Sequence, residues 1–68
     1  MEDLTKKVLS SMRHAIENGY DLSRLSPGQV AVDLMQYDAD LENEYFDDVA
    51  QAVHSIRVLG LLNDNGVD

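Results

Sequence analysis

Residues 25–30 read LSPGQV, and several independent helix-start signals coincide there. Ser26 is a natural N-cap, because its hydroxyl accepts from a backbone N–H that the first turn leaves unpaired. Pro27 suits the first helical position, where its missing N–H is no loss. Gln29, three residues after Ser26, completes a capping box, and Leu25 with Val30 forms a hydrophobic staple across the cap. From this start a helix is expected over about 27–38, with Val30, Ala31, Leu34 and Tyr37 facing inward. Val32 points away from that stripe and Met35 lies at its edge.

Toward the N-terminus, residues 20–25, YDLSRL, form a connection whose Tyr20, Leu22 and Leu25 are expected to fold onto the core. Before it, Met1, Leu4, Val8, Leu9, Met12, Ala15 and Ile16 recur at helical spacing, which predicts a helix over about 2–18. Lys6, Ser10, Arg13, His14 and Glu17 fall on the opposite face. Glu2 and Asp3 each stand four residues before a lysine, the favourable order for helical ion pairs. Asn18-Gly19 ends the helix, since glycine accepts the left-handed conformation needed there.

Toward the C-terminus, a third helix is expected over about 43–59, beginning inside the acidic run DADLENEYFDD at 38–48. Its inward face would be Tyr45, Phe46, Val49, Ala52, Val53 and Ile56. Gly60 stops or bends it, Leu61 and Leu62 follow, and Asn63-Asp64-Asn65-Gly66 is a strong turn signal. The fold class is therefore all-α: one three-helix domain over 1–68, with a short C-terminal strand or extension.

This order resembles a winged helix-turn-helix core. Ser26–Leu34 is similar to the first helix of such a pair, and Ile56–Leu62 followed by Asn63–Gly66 to a recognition helix running into a wing. The resemblance implies a DNA-binding regulator acting as a dimer. A recognition helix, however, needs Arg, Lys, Asn or Gln near its start to reach base edges. Here those positions hold Glu44, Asp47 and Asp48. Fold does not fix function, and the residues imply the shape without direct contact to nucleic acid.

The charge points the same way. The chain has 68 residues and a net charge of −8. Residues 1–24 balance Glu2, Asp3, Glu17 and Asp21 against Lys6, Lys7, Arg13 and Arg24, so the whole excess falls beyond residue 24, where Arg57 is the only cation. Such a surface repels polynucleotides and anionic lipid and attracts basic proteins. There is no cysteine, hence neither a disulfide framework nor a thiolate metal site. No apolar run approaches the ~20 residues of a membrane span, and charges interrupt the N-terminal MEDLTKKVLSSM too early for a signal-peptide core. The expectation is a soluble, cytoplasmic protein.

The acidic run has three readings. As a metal loop, Asp38, Asp40, Glu42 and Glu44 alternate like calcium ligands, but the twelfth position is Val49 and the sixth is Asn43, where a bidentate Glu and a Gly belong. No metal or other cofactor is expected. As a solvated linker and helix start, the run needs no partner at all, because helix N-termini favour acids. As a binding face, Asp38, Asp40, Glu42, Glu44, Asp47 and Asp48, joined by Asp33, imitate the charge of a nucleic-acid backbone and occupy a basic groove. In size and charge the chain resembles small acidic phage inhibitors of restriction and CRISPR systems. No nucleophile elbow, phosphate loop or paired histidine points to catalysis.

A second surface is apolar. Val32, Met35, Val58, Leu59, Leu61 and Leu62 exceed what one small core holds, so either the C-terminal piece folds back over the first helix or part of the set serves a homodimer or partner. The reading is a non-enzymatic protein binder. Its acidic face masks a basic, nucleic-acid-binding surface of its target. The alternatives are a dimeric DNA-binding regulator and an assembly protein joined through its apolar C-terminus.

Overall fold

The computed structural model describes residues 3–63. They form three α-helices: α1 at Asp3–Glu17, α2 at Pro27–Tyr37 and α3 at Phe46–Leu59. Two short 3-10 turns, Ala39–Leu41 and Leu61–Asn63, follow α2 and α3. α3 is the central element: it packs broadly on α2 and on α1, which touch each other less. Among the described residues there is no strand, and the residues of a wing fall beyond Asn63, outside them.

Local chemistry explains the helix limits. Ser26 caps α2, its Oγ accepting from the Gln29 N–H at 3.2 Å. Gln29 does not complete the box; its Nε2 donates forward to Asp33 Oδ1 at 3.0 Å. Gly19 takes φ 93° after α1, and Tyr20 N–H reaches back to the Ala15 carbonyl while Gly19 N–H bonds Ile16. This is a Schellman ending, which satisfies carbonyls the last turn leaves open. Gly60 does the same work for α3 at φ 69°. Lys7, expected beside Asp3, instead approaches Glu44 at 3.5 Å; Met1 and Glu2 lie outside the described residues.

The core is aliphatic. Val8, Met12, Val30, Leu34, Val49, Val53 and Ile56 are buried, as the periodicities require. The inward stripe of α1 is Val8, Ser11, Met12 and Ala15, which leaves Ile16 exposed and Leu9 at the edge. The aromatics, expected inside, line the surface. Tyr20 and Tyr37 meet edge-on with centroids 5.6 Å apart, and Asn18 Nδ2 donates to the Tyr37 hydroxyl at 2.9 Å. Tyr45 and Phe46 are exposed too, and Leu41, from inside the acidic run, takes the central position at 0% exposure.

α3 begins at Phe46, not at residue 43. Asp38 both ends α2, its N–H bonding the Leu34 carbonyl at 2.8 Å, and caps the next turn, its Oδ1 accepting from Asp40 N–H at 2.9 Å. That turn drives Leu41 into the core. Tyr45 is then the N-cap residue, extended at φ −78°, ψ 136°. Its side chain therefore leaves the stripe on which Val49, four residues later, lies.

Candidate functional site: the acidic segment between α2 and α3

The acids of this segment differ in what holds them. Asp38 is half-buried and engaged as a cap. Glu44 is half-buried and answered by Lys7. Asp40, Glu42, Asp47 and Asp48 are exposed, and among the described residues none has an ion-pair partner. Asp47 and Asp48 stand in the first turn of α3, where the helix dipole favours negative charge. Asp33 lies elsewhere: it lines a cleft between α2 and the 20–25 connection, bonded to Gln29. Asp48 lines a groove against Leu4 and Thr5 of α1.

Along the chain Tyr45 falls between Glu42 and Asp47, and it is 79% exposed. The sequence reading missed it as a surface residue, because its spacing from Val49 matches the buried stripe. The signal available was local: the acids at 47 and 48 mark the first turn, so the helix proper starts after Tyr45. Phe46 is half-exposed, and its ring edge lies over Gly28, where an added Cβ would come within 3.4 Å.

Of the apolar set, Val58 and Leu59 stand 68% and 67% exposed, and Val32 is exposed to a lesser degree. Met35, Leu61 and Leu62 pack against the core instead. Arg13 fixes the returning chain, its Nη2 donating to the Leu61 carbonyl at 3.2 Å. The C-terminal turn thus folds back over α1 and leaves the last turn of α3 open.

Among the described residues, no three His, Asp or Glu side chains converge as metal ligands. None of the described helices is long and apolar enough to cross a membrane. Neither a protein-family model, nor a curated protein, nor a solved structure matches the chain. The segment offers exposed negative charge and an exposed aromatic ring within nine residues of chain, 40–48, a combination suited to holding cationic groups.

Proposed function

We propose that this chain works by protein binding and not by chemistry, with Asp40, Glu42, Asp47 and Asp48 meeting a basic surface of a partner. The partner would be of the kind that holds nucleic acid, and the chain would act as a regulator or inhibitor by occupying that groove. One observation carries the reading: four exposed carboxylates, without cationic partners among the described residues, flank the exposed Tyr45 along the chain. Uncompensated like charge disfavours the compact state and is relieved by an opposite surface. Tyrosine is enriched where proteins meet, because it buries area with little loss of side-chain freedom.

The test compares the native chain with a variant carrying Asp40→Asn, Glu42→Gln, Asp47→Asn and Asp48→Asn. Both are tagged and used to capture partners from the host. A protein recovered with the native chain should be lost with the variant, should be released by raised salt, and should be displaced by duplex DNA. Equal recovery by both chains would sink the reading.

The exposure of Val58 and Leu59 favours a second reading, assembly through the end of α3. Exposed adjacent aliphatic side chains are characteristic of contact surfaces. That reading expects Leu59→Asp to reduce particle size in light scattering while the four-acid variant leaves it unchanged. A monomer in both cases removes it.

A further inference from the structure

The end of α1, the 20–25 connection and α2 enclose a cleft of about 390 Å³ that belongs to neither surface described above. Its floor is apolar, made by Ala15, Leu22, Leu25 and Leu34. Its rim carries Tyr20 and Tyr37 together with Asp21 and Asp33. No lysine or arginine lines it. Each carboxylate is held through one oxygen and open at the other among the described residues. Asp21 Oδ1 accepts from the Ser23 hydroxyl and N–H, at 2.6 and 3.0 Å, and Asp33 Oδ1 accepts from Gln29. The wall is braced from behind, where the Arg57 guanidinium donates to the Leu22 carbonyl.

From this arrangement we infer that the cleft receives one arginine side chain of a partner protein. The inference rests on the basic-partner reading above and names a second, separate point of contact. Two carboxylates on one rim, each with an oxygen open among the described residues, offer acceptors to the forked donors of a guanidinium. Tyr20 and Tyr37, which meet edge-on, each offer a ring face on which the guanidinium plane can stack. The apolar floor suits the methylene stem, which arginine buries while its head stays polar. Lysine would satisfy the charge but neither the fork nor the stacking.

The experiment is a titration of the full-length chain with N-acetyl-arginine N-methylamide, followed by amide NMR. Signals of Tyr20, Asp21, Leu22 and Tyr37 should shift saturably. The neutral citrulline analogue and the lysine analogue should bind about tenfold more weakly or worse, as should a chain with Asp21→Asn and Asp33→Asn. The four-acid variant of residues 40–48 should bind the arginine probe as the native chain does. No saturable shift, equal shifts with citrulline or lysine, or full binding by the Asp21/Asp33 variant overturns the inference. So do shifts that appear on concentrating the chain alone and vanish with Arg24→Gln, since the occupant is then a second copy. Failure here, with the four-acid variant still losing its partner, leaves the acidic-face reading standing; the reverse result removes that reading and keeps the cleft.

Discussion

The guanidinium of Arg57, on α3, donates to the backbone carbonyl of Leu22, 35 residues earlier in the chain. Arg13 does likewise for Leu61. Five lysines and arginines are all the chain has, and these two are turned onto backbone carbonyls while Lys7 answers Glu44. Two of the five cations therefore brace irregular segments, and Asp40, Glu42, Asp47 and Asp48 are left without an ion-pair partner among the described residues. Structure and surface charge share this cause.

Arg57→Met should lower stability by about 1–2 kcal/mol, since a hydrogen bond from a charged donor is lost beside a buried residue. The effect should concentrate in residues 20–25. Chemical denaturation reads the first expectation, and amide exchange at Leu22 and Leu25 reads the second. Uniform exchange across the molecule would show that the bond does not hold the connection.

Leu41→Ala should cost about 2–5 kcal/mol, because Leu41 is fully enclosed and its removal leaves a cavity. For a domain this small, that loss approaches the whole of its stability. Phe46→Ala should cost only about 1 kcal/mol, because its ring is nearly half exposed. Thermal melts of both variants check the order; a larger loss at Phe46 would restore the aromatic to the core.

This contrast shows where the sequence was legible. Ser26, Gly19 and Gly60 act through one or two bonds to near neighbours, so short windows reveal them. The stripe Val49–Ala52–Val53–Ile56 follows from helical period alone. Tyr45, expected inside, is exposed and Leu41, for which no place was expected, is buried because Asp38 caps twice, a choice that depends on how far α2 runs before the chain turns. In the acidic segment the identity of the carboxylates was legible, but their company was not. Lys7 answers Glu44 across 37 residues, and Asp33 faces the cleft and not the strip. Such pairings are properties of packing.

Ser11→Ala should raise stability by about 1 kcal/mol. The Ser11 hydroxyl is buried on the inward stripe of α1 and has no hydrogen-bond partner among the described residues. Burying a polar group without a partner is costly, and alanine is the better helix former. A raised melting temperature with unchanged helical circular dichroism is the expected result. A lowered one would mean that the hydroxyl is bonded in solution.

The hydrogen bonds from the Ser23 side chain, and then from its backbone N–H, hold the Asp21 carboxyl below its ordinary value. A carboxylate whose pKa is depressed by folding contributes stability above its unfolded pKa, and the contribution disappears as pH falls through the folded value. Asp21 is fully exposed, so the contribution to global stability is slight. The local effect is measurable. Carbon-detected NMR titration should find Asp21 protonating below the ordinary aspartate value, and Ser23→Ala should move it partway back. No response to Ser23→Ala would remove the side-chain bond as the cause.

Tyr45 occupies the N-cap position of α3 and supplies no side-chain bond to the first turn. Serine there would accept from an unpaired backbone N–H, a gain of about 1 kcal/mol relative to residues that cannot cap. Little is given up in exchange, because the tyrosine ring is largely solvent-exposed and contributes little burial. Tyr45→Ser should therefore raise the denaturation midpoint, and it adds no charge to a segment already rich in carboxylates. On the proposed function the same substitution should weaken capture of the basic partner, since it removes the aromatic surface among Asp40, Glu42, Asp47 and Asp48. Stability and binding would then move in opposite directions, the relation expected where a contact residue occupies a structurally suboptimal position. A variant that gains stability and binds unchanged would exclude Tyr45 from the contact face, and one that loses stability would show that the ring packs more closely than its exposure indicates.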